Sequence, residues 1–128
     1  MSRLLPFFLF LAACPSGETA CTDLAAASSL IHVVDAEGNP LVAEVVGEDA
    51  DGNVVEATCA DADPANCTNW IVGYEVEGVI VVRAEADDGC NTGTGEVTVD
   101  VPIDADGCHV VQQEADLVVS EWTDLDCG

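Results

Sequence analysis

Short runs rich in β-branched residues, separated by clusters of Asp, Gly, Asn and Pro, constrain the fold of this chain more than any other feature. Seven runs show this pattern, over residues 30–34, 41–46, 54–58, 70–74, 79–86, 96–101 and 108–119. Strands of this length, punctuated by turn residues, are typical of sandwiches and barrels. We therefore predict an all-β domain over residues 30–128, folded as an antiparallel β-sandwich of about seven strands.

Alternation within the runs predicts which face of each strand is buried. Segment 96–101 reads Glu-Val-Thr-Val-Asp-Val, so its valines share one face and its polar residues share the other. The 128-residue chain carries 25 Asp and Glu residues against two Lys and Arg residues, for a net charge of −23. Because the acids in such strands fall on the solvent face, we interpret most of this charge as a property of the surface.

The charge also limits the partners of the protein. A protein that follows a phosphate backbone needs clustered cations, and an anionic membrane surface repels an acidic domain. We therefore expect no nucleic-acid partner, and membrane attachment only through a lipid or a hydrophobic segment.

Dense acidic charge destabilises a folded domain by self-repulsion, and salt screens that repulsion. We predict that salt stabilises the domain, which suits a halophilic protein from a saline habitat.

The N-terminal residues 1–14 read MSRLLPFFLFLAAC. Their apolar stretch is shorter than the roughly 20 residues that cross a bilayer as a helix, so it is typical of a secretory signal. The last four residues, Leu11-Ala12-Ala13-Cys14, resemble the lipobox of bacterial lipoproteins. That resemblance implies a signal peptide over residues 1–13, removed before Cys14, and a lipid on Cys14. The alternative is an ordinary secretory signal with Cys14 in a disulfide.

The lipoprotein resemblance implies an organisation and an address for the whole chain. After the lipidated cysteine, residues 14–29 are small, polar and aperiodic, which predicts a flexible spacer before the sandwich. The implied address is the bacterial cell envelope, with the protein anchored to the outer membrane or cell surface through its lipid.

Cysteine number and strand direction together predict the disulfides. Seven cysteines are an odd number, and assigning Cys14 to lipid leaves six for three bridges. If successive strands reverse direction, Cys90 and Cys108 lie a full strand apart, farther than the roughly 7 Å between Cα atoms that a disulfide allows. Among the fifteen connectivities of six cysteines, we favour three pairs: Cys59–Cys67, Cys90–Cys127 and Cys21–Cys108.

A second resemblance concerns the sandwich itself. The opening Val34-Asp35-Ala36-Glu37-Gly38-Asn39-Pro40-Leu41, the later Arg83-Ala84-Glu85-Ala86-Asp87-Asp88-Gly89 and the Val97-Thr98-Val99 strand resemble carboxypeptidase regulatory-like domains. This family has a transthyretin-like β-sandwich, similar to immunoglobulin-like folds, and the likeness spans about 31–119. It implies a non-catalytic accessory module for folding, adhesion or ligand contact. The family usually has an aromatic after the glycine of the closing loop, where this chain has Gly89-Cys90.

Two acidic turns raise the question of calcium. Asp49 and Asp51 lie in one turn and Asp104 and Asp106 in another, and carboxylate oxygens are the ligands that calcium prefers. Neither turn has the glycine and glutamate spacing of an EF-hand loop, whereas Asp-Gly and Gly-Asn pairs are frequent in hairpin turns. We favour turns, and keep these four aspartates as calcium candidates.

The sequence offers no established catalytic pattern. No serine lies in Gly-x-Ser-x-Gly, and the chain has no lysine for Schiff-base chemistry. We therefore expect no enzyme activity, no catalytic residue, no cofactor and no metal beyond the calcium candidates. The predicted function is that of a lipid-anchored accessory or binding module whose partner is an unknown envelope protein or glycan. Calcium-dependent adhesion or carbohydrate binding is the alternative, followed by a small hydrolase.

Overall fold

The structure, a computed structural model, describes residues 24–127. These residues form nine β-strands and one 3₁₀ turn, Pro64–Asn66. The strands are β1 Ser29–Val34, β2 Glu44–Asp49, β3 Val54–Val55, β4 Ala57–Cys59, β5 Asn69–Val72, β6 Gly78–Asp87, β7 Thr92–Val101, β8 Gln113–Val118 and β9 Glu121–Trp122. The predicted all-β class is confirmed. Within this part of the chain, no helix has the length and hydrophobicity needed to cross a membrane.

Two sheets form the sandwich. One has five strands in the order β9-β7-β6-β2-β3, and the other has four in the order β4-β5-β1-β8. Neighbouring strands are antiparallel except β1 and β8, which are parallel. The prediction of a wholly antiparallel sandwich is wrong for this pair. When seven successive runs reverse direction in turn, the first and the seventh run in the same direction. Strands formed from these two runs are therefore parallel when they pair.

One predicted strand divides between the two sheets. The run 54–58 becomes β3, which pairs with β2, and β4, which pairs with β5 in the other sheet. The change of sheet occurs at Glu56, whose carbonyl accepts a hydrogen bond from the Gly73 amide at 2.8 Å. This division, together with the two-residue strand β9, gives nine strands instead of about seven.

The core lies between the sheets and consists mainly of valine and isoleucine. Ile31, Ile80, Val82 and Leu117 are fully buried. The alternation predicted for 96–101 is present: Val99 and Val101 are buried and Val97 is partly buried, while the polar residues Glu96, Thr98 and Asp100 are exposed. Every second side chain of β6 and β7 therefore faces the core, and the others form the outer face of the five-stranded sheet.

The folded domain begins earlier than predicted. Ser28 and Ser29, assigned above to the flexible spacer, have no exposed surface. The Ser29 hydroxyl donates to the Val72 carbonyl at 2.7 Å, and the Ser28 hydroxyl accepts from the Val76 amide at 2.8 Å. These serines are buried because backbone groups of neighbouring strands satisfy their hydroxyls. The predicted signal peptide 1–13, Cys14 and most of the spacer lie outside the described residues.

Candidate functional site

The sandwich has two distinct ends. We call the end where β1 starts the N-terminal end; it also contains Glu75 and the connection between β7 and β8. The opposite end, here the loop end, contains the connections 35–43, 60–68 and 88–91 and the residues after β9. Loops at the end of a sandwich are frequent binding sites because a rigid scaffold positions them.

Glu75 fixes the chain at the N-terminal end. Its carboxylate accepts hydrogen bonds from the amides of Ala26 at 2.9 Å and Val110 at 3.0 Å, and it contacts the imidazole of His109. Its own amide donates to the Ala26 carbonyl at 2.9 Å. The hydrogen bonds from Ala26 and His109 lower the pKa of Glu75 to about 2. Glu75 has a φ of 56°, an uncommon backbone conformation for a residue other than glycine.

Disulfides brace the loop end. Cys59 is bonded to Cys67 and Cys90 to Cys127, with a Cα–Cα distance of 5.9 Å in each pair. These are two of the three pairs predicted from strand direction. Cys108 is also disulfide-bonded, and the predicted Cys21–Cys108 pair lies outside the described residues because Cys21 does.

Asp61 organises the loop that the first disulfide closes. Its carboxylate accepts from the Thr68 amide at 2.7 Å, the Asn69 amide at 3.2 Å and the Asn69 side-chain amide at 2.8 Å. Donors to the charged form, above all the Thr68 amide, lower the pKa of Asp61 to about 2. Asp61 lies close to Cys59 and Cys67, but both sulfurs belong to a disulfide, so the three residues do not form a metal site.

A cavity of about 680 Å³ opens at the loop end, beside this braced loop. Its lining includes apolar parts of Val45 and Trp70 and the carboxylates of Glu44, Glu85 and Asp87. Trp70 is only partly buried, although its indole N–H is buried and finds no acceptor among the described residues. The arrangement can receive a group that is positively charged and partly apolar.

Both turns with calcium candidates use their aspartates to hold the turn. The Asp49 carboxylate accepts from the amides of Asp51 and Asn53, each at 2.9 Å, and Gly52 has a φ of 86°. The Asp104 carboxylate accepts from the Cys108 amide at 3.1 Å. No three of the four candidate carboxylates come close enough together, among the residues described, to hold one ion. Asp51 and Asp106 are exposed in their turns.

His32 lies on the outer face of the four-stranded sheet and bridges three strands. Its Nδ1 lies 2.5 Å from the Asn69 side-chain oxygen, and its Nε2 lies 2.5 Å from the Glu114 carboxylate. The Asn69 side-chain nitrogen donates to Asp61, so the Asn69 oxygen is free to accept. Both imidazole nitrogens therefore face acceptors, an arrangement that favours the protonated imidazole. The hydrogen bond to Asn69, followed by that to Glu114, raises the pKa of His32 above its ordinary 6.5.

This geometry predicts that stability falls as pH rises above the ordinary pKa of histidine. Because the pKa of His32 is higher in the folded state, its stabilising effect is fully present below pH 6.5 and is lost as pH rises through the raised pKa. We expect NMR titration to place the pKa of His32 above 6.5, and Glu114→Gln to lower it. Glu121→Gln, a change of equal charge on the other sheet, should leave it nearly unchanged. A His32 pKa at or below 6.5 would contradict the assignment.

The comparisons with known proteins add no relative to this description. No family model, no curated protein and no solved structure matches the chain. The fold and the site therefore define the protein only as a disulfide-braced, all-β sandwich with a polar cavity at its loop end. The two family resemblances stay predictions.

Sequence reasoning missed Glu75 and Asp61, the two carboxylates that organise the ends of the sandwich. Each looks like one more surface acid in a chain with 25. Asp61 lies two residues after Cys59, within the loop closed by the predicted Cys59–Cys67 disulfide. That position could have identified it as a residue that organises the loop. Glu75 has no local signal, because its partners at 26 and 110 are distant in sequence.

Proposed function

We propose that this protein is a lipid-anchored component of the bacterial envelope and that its sandwich is a non-catalytic binding module. The lipobox resemblance at residues 11–14 supports the anchor. The absence of a Gly-x-Ser-x-Gly nucleophile motif and of lysine supports a role without turnover. The partner is an envelope protein or a glycan that the surface of the sandwich contacts.

The observation that carries this proposal is the position of Ala26. Glu75 holds Ala26 at the N-terminal end, opposite the cavity and the two disulfide-bonded loops. A lipid on Cys14 is separated from this point by 26 − 14 = 12 residues, which span at most about 40 Å when extended. A chain tethered there is attached at the end of the sandwich away from its cavity and its disulfide-bonded loops, which leaves these accessible and suits a module that binds partners.

Replacing Cys14 with serine tests the anchor. A lipid of two acyl chains holds a protein firmly on a membrane, whereas removal of the acylated sulfur removes that attachment. We expect the unaltered protein to partition into the membrane and detergent fractions with acyl chains attached, and Cys14→Ser to incorporate no acyl chains. Mass spectrometry of the unaltered protein should show loss of residues 1–13 and a lipid-modified Cys14.

Ser16→Ala is the matched control, because it lies two residues from Cys14 and removes no cysteine. It should fractionate like the unaltered protein. The proposal fails if native protein begins at another residue, if its Cys14 carries no lipid, or if Cys14→Ser still incorporates acyl chains.

A further inference from the structure

Charge is distributed unevenly between the two outer faces of the sandwich. In the five-stranded sheet, one cation and seven acids point outward: Arg83, Glu44, Glu48, Glu85, Asp87, Glu96, Asp100 and Glu121. Their sum is 1 − 7 = −6. The strands of the four-stranded sheet present two outward acids, Glu114 and Asp116, and no Lys or Arg, for a sum of −2 with His32 counted as neutral. Acidic charge that served solubility alone would not need to favour one face.

The same face of the five-stranded sheet, which we call the acidic face, also exposes apolar side chains. Val46 is 59% exposed, Val54 is 86% exposed and Val79 is 40% exposed. Val46 lies between Glu44 and Glu48 on β2, Val54 pairs with Glu48, and Val79 pairs with Asp100. A partner that covers this face must therefore offer apolar contact and positive charge together.

The register places like charges directly opposite each other. Glu44 of β2 faces Glu85 of β6, and Glu121 continues the same row beyond Thr94. Such like-charge pairs are destabilising. Arg83 does not neutralise the repulsion between Glu44 and Glu85, because its guanidinium pairs with Glu48 at 3.1 Å and Glu96 at 3.2 Å. No cation among residues 24–127 forms an ion pair with Glu44 or Glu85.

A groove of about 660 Å³ follows this row. Val46, Arg83 and Thr94 line it together with Glu44, Glu85 and Glu121. Long aliphatic stems that end in a cation fit such a lining, since lysine and arginine cover apolar surface with their methylenes while their charged ends reach outward. The groove thus joins the apolar and acidic parts of the acidic face.

We infer that the acidic face is the docking surface for a basic polypeptide segment that presents Lys or Arg and apolar side chains on the same side of an extended chain. This inference rests on the proposed role as a binding module and names the chemistry of its partner. Charge complementarity excludes nucleic acid and an anionic membrane. A metal ion does not fit, because no three carboxylates of this face lie within ligating distance of one another in the described chain.

A synthetic peptide of repeated Lys-Gly-Val-Gly units tests the inference on the purified full-length protein. Alternate residues of an extended peptide face the same side, so its lysines and valines can meet the acidic face together. At low salt we expect binding in calorimetry that weakens as NaCl rises. Glu44→Gln with Glu85→Gln should weaken it about fivefold to tenfold, since exposed charge pairs each contribute modestly.

Glu37→Gln with Asp106→Asn is the matched control, because it removes the same charge from two exposed turn positions. It should change the affinity by less than about twofold, by the same energetics. If the control weakens binding as strongly as the Glu44 and Glu85 pair, the attraction is general and the inference is overturned. Melting curves of all variants establish that each one folds.

The apolar half of the inference has its own test. Val46→Ser should weaken binding of the Lys-Gly-Val-Gly peptide, whereas Val111→Ser, at an exposed valine outside the acidic face, should not. A peptide of Lys-Gly-Ser-Gly units should bind less tightly than the valine peptide. Equal binding of the two peptides, or no binding of either, overturns the inference. Peptide binding does not depend on the Cys14 lipid. A failure to bind the peptide would therefore not contradict the lipid anchor, and an unlipidated Cys14 would not affect the interpretation of the binding experiment.

Discussion

Replacing Gly95 with alanine should destabilise the domain by about 3 kcal/mol, which is at the upper end for an overpacked core position. Gly95 lies in β7 on the side that faces β8 of the other sheet. A Cβ at this position would overlap the carbonyl oxygen of Val118 and lie 2.8 Å from Cδ2 of Leu117. The atoms that a Cβ would overlap belong mainly to the backbone of β8. The overlap can therefore be removed only if the two sheets move apart. We expect the melting temperature to fall by roughly 15 °C.

Gly93→Ala is the informative control for this prediction. Gly93 lies two residues away in the same strand and on the same face, but its added Cβ would meet the ring of Trp122, at 2.6 Å from Cδ2. Trp122 is 37% exposed and belongs to the two-residue strand β9, so its ring can move at a smaller cost. We expect a loss of about 1 kcal/mol there. Thermal unfolding followed by circular dichroism measures both, and similar small losses at the two positions would contradict the close contact between β7 and β8.

The sequence predicted those parts of the fold that depend on local pattern. Alternation in 96–101 identified the buried face of β7, and the Asp-Gly turns at 49–53 and 104–107 follow from the preference of glycine for positive φ. Strand direction also predicted the Cys59–Cys67 and Cys90–Cys127 pairs, because it decides which loops share an end of the sandwich.

Features that depend on distant partners were not predictable in this way. Ser28 and Ser29 look like spacer residues until Val72 and Val76 supply partners for their hydroxyls. The run at 54–58 has continuous strand propensity, and only its two different neighbours reveal that it changes sheets at Glu56. The acidic face likewise emerges from cross-strand register, since nothing local indicates that Glu44 lies opposite Glu85.

Sodium chloride should raise the melting temperature by about 10 °C between low millimolar and molar concentration, corresponding to roughly 2 kcal/mol for a domain of this size. The chain has a net charge of −23, and the acidic face concentrates part of that charge. Screening shortens the range of this repulsion from about 30 Å at 0.01 M to about 3 Å at 1 M. Salt also weakens the attractive pairs of Arg83 and His32, but exposed ion pairs contribute at most about 1 kcal/mol each. Repulsion therefore dominates the response.

The acidic face provides the test of where this repulsion acts. Glu44→Gln with Glu85→Gln removes a directly opposed pair of like charges, so the variant should melt higher than the unaltered protein at low salt and gain less from added salt. Glu37→Gln with Asp106→Asn removes the same total charge from separate turns and should retain most of the salt response. Sulfate also strengthens hydrophobic burial, so NaCl is the salt that tests screening alone. Most of the rise in melting temperature should be complete before 1 M NaCl. A melting temperature that stays flat or falls over this range would show that screening of the net charge does not govern the stability of the domain.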